Sequence, residues 1–272
     1  MLTLIDGQVQ DLCPSDDRGL TYGQGVFETL PCTEGQPWLW PAHLQRLLRG
    51  CRQLKIPCEA LEAQLHADLQ QLPQQDGVLK ILVTAGSGGR GYALPEPIYP
   101  RRILQFSPRP YWPDAPFHQG IRARVCQLRL AHQPALAGLK HLNRLEQVLA
   151  RSEWSDPGIR EGILLSYQDE LIEGTMSNLF LVKAGQLFTP DLSQTGVSGI
   201  MRNYLIDMAT DLSLPVQIKG LTLEDLWAAD EVFFCNSLIA IWPLVALEEQ
   251  SFAIGPITRC LQKVLQERRY PC

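Results

Sequence analysis

The sequence predicts a mixed α/β (α+β) protein of two domains, and three observations carry that expectation. Apolar runs of strand length recur along the chain, with runs of helical period between them in both halves. A stretch with four prolines, SPRPYWPDAP, breaks that pattern between Ser107 and Pro116. The 272 residues suffice for two medium-sized cores.

Residues 2–9 alternate and end at a turn, reading as a strand. GVFETLPCTEGQPWLW (25–40) reads as two strands about the Thr33–Pro37 turn, which holds Glu-Gly. PAHLQRLLRGCRQLKI (41–56) opens on proline at a helix start, with leucines 44, 47 and 48 on one stripe. EALEAQLHADLQQL follows as a second helix. GVLKILVTAG (77–86) is a strand running into a glycine-rich loop, and RRILQFSP (101–108) is another strand. These elements make an N-terminal domain over 1–107. Proline fixes φ and lacks the N–H that a central strand needs, so 108–116 is expected as a semi-rigid linker.

The second domain, 117–272, begins with strand GIRARVCQLR (120–129) and the helix LAGLKHLNRLEQVL (136–149). A long β stretch covers 161–190. The helix GIMRNYLIDMATDL (199–212), strand PVQIKG and helix LEDLWAA come next. The strand EVFFCNSLIAIWPLVAL (231–247) and the terminal helix PITRCLQKVLQERR close the chain.

Composition narrows the function. Hydrophobic residues make up 45% and charged residues 19%, an ordinary globular balance. A formal net charge of -5 argues against a nucleic-acid partner, which calls for a clustered positive surface. No apolar run approaches the roughly 20 residues of a membrane span, and MLTLIDGQVQD lacks the basic start of a signal peptide. Eight cysteines are scattered without C-x-x-C, and the five histidines include no H-x-x-x-H. The expectation is a reduced, cytoplasmic protein without a metal site. GSGGRGY (86–92) is followed by neither Lys-Ser/Thr nor a helix, so it is not a phosphate P-loop. YGQG (22–25) lacks the third glycine of a dinucleotide fingerprint.

Four segments hold candidate chemistry. Among only six lysines, Lys140 stands out. On a helical wheel it lies away from the stripe of Leu142, Leu145 and Leu149, and its i+3 and i+4 neighbours are Asn143 and Arg144. That pattern fits a functional amine or a plain polar helix face. Glu173 falls between the apolar runs GILLSY and NLFLV, where a carboxylate is costly unless it meets a cation or donor. A protonated cofactor ring nitrogen would serve; so would solvent beside a tight turn. GVSGIMRNYL (196–205) leads glycine and serine into a helix whose first N–H groups can receive an anion. In FFCNSLIA (233–240), Asn236 and Ser237 interrupt an apolar strand, as a turn or bulge would.

In order along the chain, YGQGVFET (22–29), HLQRL (43–47), KHLNRL (140–145), EGTMSNLF (173–180), GIMR (199–202) and CNSLIAIWPL (235–244) resemble the class IV aminotransferase family. These are the fold-type IV enzymes that use pyridoxal 5′-phosphate (PLP). Within it, AGLKHLNRLEQVL and GSGGRGY resemble the branch that cleaves 4-amino-4-deoxychorismate to 4-aminobenzoate and pyruvate. Aminotransferase relatives more often carry tyrosine where Arg144 stands. A D-amino-acid or branched-chain aminotransferase is the alternative.

The resemblance implies mixed sheets with flanking helices and the cofactor in the interdomain cleft. Lys140 would be the covalent anchor of PLP and then the base and acid beside the substrate carbon. Glu173 would hold the pyridine nitrogen protonated. Arg46 would grip the phosphate as a charge-assisted fork. The backbone of Ile200 and Met201, with Ser237 and Leu238 across from it, would complete the phosphate cup, and Asn143 would orient the lysine or the cofactor hydroxyl. A dicarboxylate small-molecule substrate calls for cationic and hydroxyl donors, with Tyr22, Thr29, Arg90 and Tyr92 as candidates. A homodimer is implied as well.

Overall fold

A computed structural model describes residues 1–109 and 115–269. The chain divides into two compact units: Met1–Tyr111 with Leu139–Asn143, and Trp112–Gly138 with Arg144–Cys272. The lysine-bearing segment therefore belongs with the first unit, although the chain on both sides of it belongs to the second.

The first unit is built from β1 (Leu2–Ile5), β2 (Gln8–Val9), α1 (Arg18–Tyr22), β3 (Gly25–Thr33), β4 (Gln36–Pro37), α2 (Trp40–Gln53), α3 (Leu61–Leu69), β5 (Gly77–Thr84) and β6 (Arg101–Ser107). Its sheet has the order β2-β1-β6-β5-β3-β4 and every pairing in it is antiparallel. Strand alternation sets the chemistry of β3: Val26, Glu28 and Leu30 are buried, whereas Phe27 and Thr29 are only half-buried. Leu30, Leu47, Leu65, Leu79, Ile81 and Leu104 form the centre of this core. Each such side chain removes apolar surface worth about 1.5–3 kcal/mol.

The second unit contains α4 (Ala115–Gln119), β7 (Ile121–Leu130), α5 (Leu145–Arg151), β8 (Ile159–Ser166), β9 (Leu171–Gly174), β10 (Asn178–Lys183), β11 (Gln186–Pro190), α6 (Ile200–Asp211), β12 (Val216–Lys219), α7 (Leu223–Trp227), β13 (Glu231–Asn236), β14 (Ala240–Leu247), β15 (Gln250–Ser251) and α8 (Pro256–Arg269). The sheet order is β12-β11-β10-β13-β14-β7-β8-β9, with β15 on β14. The pairs β11–β12, β14–β7 and β7–β8 are parallel and the others antiparallel, so the sheet is mixed. Phe180 and Phe233 stack at 5.0 Å between ring centres on neighbouring strands.

Several expectations need correction. The helix read over 136–149 begins only at Leu145, and Leu139–Asn143 is not helical. Of the leucine stripe read on that helix, Leu145 and Leu149 are 67% and 51% exposed. Residues 2–9 are two strands broken at Asp6–Gly7, both of which have positive φ. The run 231–247 is likewise a hairpin. Helices α1 and α4 are too short to show a 3.6-residue period. Of the proline-rich stretch 108–116, residues 110–114 lie outside the described residues, and Ala115 and Pro116 start α4.

Candidate active site

In the first unit, Lys140 is held by backbone pairing with the start of β3. The Phe27 N–H donates to the Lys140 carbonyl at 2.9 Å, and the Leu142 N–H donates to the Gly25 carbonyl at 2.9 Å. This pairing replaces the helix that leucine spacing suggested. It places the Lys140 Nζ 4.4 Å from the centre of the Phe27 ring, with Lys80 Nζ 5.7 Å from the same ring. Lys80, exposed on β5, lies opposite Thr29, two residues along β3 from Phe27.

The buried face of β3 carries a second cluster. Glu28 accepts from Arg46 Nε at 2.7 Å and from Arg46 Nη2 at 2.5 Å, and its Oε2 lies 2.6 Å from His43 Nδ1. Burial alone would raise the Glu28 carboxyl, but Arg46 and His43 overcome it and hold the group at about 2. Burial lowers the pKa of His43. Arg46, expected at a phosphate, thus directs its Nε and Nη2 at the Glu28 carboxylate. Glu28 and His43 were missed, although H-x-x-R on α2 and a glutamate among apolar strand residues were visible signals.

Asn143 closes the Lys140 segment. Its side-chain amide donates to the Gly23 carbonyl at 3.3 Å, tying this segment to the turn after α1. Gly23 has φ +66°, and a Cβ there would lie 2.0 Å from Asn143 Oδ1, so only glycine fits. Among the substrate candidates, Thr29 is half-buried on the Phe27 face of β3. Tyr22 and Tyr92 meet beside the glycine-rich loop that carries Arg90. The Tyr22 hydroxyl accepts from the Gly91 N–H at 3.0 Å, the Tyr22 and Tyr92 rings meet edge-on at 5.6 Å, and Arg90 is exposed.

In the second unit, Glu173 is buried on β9. Its Oε2 accepts from the Val197 N–H at 2.8 Å, and Gln147 Nε2 lies 3.5 Å from Oε1. Burial lowers the pKa of Arg144, while the negative charge of Glu173 opposes that shift. The Val197 carbonyl accepts from Asn178 Nδ2 at 2.9 Å. Gly199 caps α6 without a side-chain hydrogen bond, and a Cβ there would lie 1.9 Å from Asn178 Oδ1. Ile200 and Met201 follow as the first residues of α6, both buried, and its first turn contains no acid. This is a helix start open to an anion.

Asn236 ties the β13–β14 turn: its Oδ1 accepts from the Leu238 and Ile239 N–H groups at 2.8 and 2.9 Å, and its Nδ2 donates to the Met176 carbonyl at 3.0 Å. The Leu238 N–H, expected to face a phosphate, is thus engaged by Asn236. Ser237 lies half-buried in the same turn. Glu161 was also missed. Fully buried on β8, it accepts from Gly162 N, Thr175 N, Thr175 Oγ1 and Ser177 Oγ at 2.9, 2.9, 2.5 and 2.6 Å. Burial pushes its pKa up, against the pull of those donors. It fixes the turn that follows Glu173.

Among the described residues no cluster of His, Cys, Asp and Glu is arranged to hold a metal ion, and no helix is long and apolar enough to cross a membrane. Residues 25–247 match the amino-transferase class IV family, and the chain belongs to it. It is 37% identical to an aminodeoxychorismate lyase of Vibrio harveyi, over 95% of this chain and 97% of that one. A crystal structure of 4-amino-4-deoxychorismate lyase from Pseudomonas aeruginosa superposes with a TM-score of 0.94 at 48% identity, covering 98% of both chains. A putative branched-chain-amino-acid aminotransferase of Methanocaldococcus jannaschii is 30% identical over 93% of this chain and 90% of its own.

Proposed function

We propose that the protein is a PLP-dependent lyase that converts 4-amino-4-deoxychorismate to 4-aminobenzoate and pyruvate. The observation that carries this reading is the 48% identity across 98% of both chains with the Pseudomonas aeruginosa lyase, against 30% for the putative aminotransferase.

The side chains fit the chemical handles of PLP. Lys140 is an amine for its aldehyde, Glu173 a buried carboxylate for its ring nitrogen, and the Gly199–Met201 helix start a receptor for its phosphate. When bound, PLP supplies an electron sink for charge left on the carbon bearing the substrate amine. Lys140 then removes the proton from that carbon and returns protons as product leaves. Glu173, its Oε2 steadied by the Val197 N–H, keeps the ring nitrogen protonated. Loss of the enolpyruvyl oxygen from the neighbouring carbon makes the ring aromatic, so the step runs downhill. Arg90, Tyr92, Tyr22, Thr29 and Lys80 supply donors for the two carboxylates. Ser237 serves the phosphate from the β13–β14 turn.

A homodimer in the cytoplasm completes the reading. Exposed apolar Leu145, Val148 and Leu149 on α5 favour a protein partner surface, and the unpaired cysteines suit a reducing compartment.

The test is coupled detection of pyruvate from 4-amino-4-deoxychorismate, run beside a panel of amino donors. Stoichiometric pyruvate and 4-aminobenzoate are expected. Rapid keto-acid formation from D-alanine or leucine, without pyruvate from the chorismate derivative, would overturn the lyase in favour of an aminotransferase. Borohydride reduction of the PLP-loaded protein should leave a phosphopyridoxyl group on the peptide bearing Lys140, and none in Lys140→Ala.

A further inference from the structure

We infer that Arg18 is a positioning residue, a latch that holds the Gly86–Gly91 loop so that Arg90 and Tyr92 can grip a substrate carboxylate. This rests on the substrate reading above for its purpose, but not for its geometry.

Arg18 is the first residue of α1 and only 2% exposed. Buried arginines ordinarily meet a carboxylate. Here, among the described residues, the acceptors are neutral: Nε donates to Gln24 Oε1 at 2.6 Å, and Nη1 reaches the carbonyls of Gly91 and Gly88 at 3.3 and 3.5 Å. The guanidinium carbon lies 4.7 Å from the centre of the Tyr22 ring. Tyr22 in turn accepts the Gly91 N–H, so both backbone groups of Gly91 are held by neighbours on α1. The base of the loop is pinned separately: the Arg18 N–H donates to the Gly86 carbonyl at 2.8 Å, and the Gly86 N–H to Thr84 Oγ1 at 3.0 Å.

The first half of the loop has further ties, since Ser87 Oγ donates to Asp16 Oδ1 at 2.9 Å and a Cβ at Gly88 would lie 2.9 Å from Pro95. It is the Gly89–Gly91 half that depends on Arg18 and Tyr22. A Cβ at Gly89 or Gly91 would touch nothing within 4 Å, and both glycines have positive φ, so neither packing nor sequence stiffness sets the path of this half of the loop. Arg90 and Tyr92 are exposed, Tyr92 to 88%. A flexible loop that carries a binding cation loses affinity in proportion to the time spent elsewhere. Neutral acceptors on Arg18 thus convert a buried charge into loop order, and the cost of burying it is met by the loop's own carbonyls.

The test compares the PLP-loaded wild type with Arg18→Gln, Arg18→Lys and Tyr22→Phe, using limited trypsin digestion and steady-state kinetics. Trypsin cuts after arginine, and Arg90 reports its own loop. Arg18→Gln should be cut after Arg90 at least about fivefold faster, and KM should rise about tenfold with a smaller change in kcat, the weight of one hydrogen bond to a charged group. Arg18→Lys keeps the charge without the fork and should fall between the two. An unchanged cutting rate, or a kcat loss that exceeds the KM change, would overturn the latch. If Arg18→Gln does not fold, Tyr22→Phe removes only the acceptor of the Gly91 N–H and decides by the same trypsin assay. A wild type that releases no pyruvate would sink the substrate reading, while the digestion still judges the latch.

Discussion

Glu28 shows how a single carboxylate can set the acid limit of the first unit. Burial raises its pKa, but Arg46 and His43 win and hold it at about 2, below its ordinary 4.5. The unfolded chain therefore takes up that proton first as pH falls. The stabilisation is complete above 4.5 and is lost between there and about 2. His43 acts in the same direction: burial depresses its pKa, so the unfolded chain is protonated first and stability starts to fall below 6.5. Urea unfolding measured across this pH range should show both losses. Glu28→Gln should remove the lower one and cost about 3–5 kcal/mol near neutral pH, because it strands a buried guanidinium. A Glu28→Gln protein as stable as the wild type would show that the cluster contributes nothing. At this scale the sequence was partly legible. Lys140 and Glu173 stood out by type and place, whereas Glu28 and His43 required knowledge of which face of β3 meets α2.

At the scale of elements, helix starts govern the second unit. Glu231 on β13 receives the Ile257 and Thr258 N–H groups of α8 at 3.1 and 2.8 Å, a cap supplied from a distant strand. Glu231→Ala should cost about 1–3 kcal/mol, read as a lower urea midpoint. Gly199→Ala at the start of α6 should be harsher, since its methyl would displace Asn178 from the Val197 carbonyl. Weakened PLP binding, measured by equilibrium dialysis, is the expected result, and unchanged affinity would remove the α6 start from the phosphate site. The misread helix at 136–149 belongs here. Leu142, Leu145 and Leu149 have helical spacing, but pairing of Lys140 and Leu142 with β3 satisfies their backbone groups and delays the helix to Leu145. Local period was outweighed by hydrogen bonds to residues more than a hundred positions away.

For the whole molecule, the expected assembly and ligand linkage are measurable. Leu145→Glu with Leu149→Glu should shift a sedimenting dimer to monomer; a dimer that persists would place the interface elsewhere. Saturating PLP should raise stability by about 2.7 kcal/mol at a hundredfold excess over its Kd, seen as a rise in Tm. In Lys140→Ala this rise should shrink, since the covalent bond is lost.

The sequence by itself determined the class of fold and the family, and it singled out Lys140 as the proposed reactive amine, because period, proline placement and ordered segments are local properties. Only the tertiary structure decided that Lys140 rides on a strand-like segment of the first unit, that Arg46 answers to Glu28, and that Arg18 holds the glycine-rich loop. Each of these depends on which donors and acceptors meet across long sequence separations. Backbone groups must be paired and buried charges compensated, and the partners that do so are chosen by packing rather than by spacing along the chain.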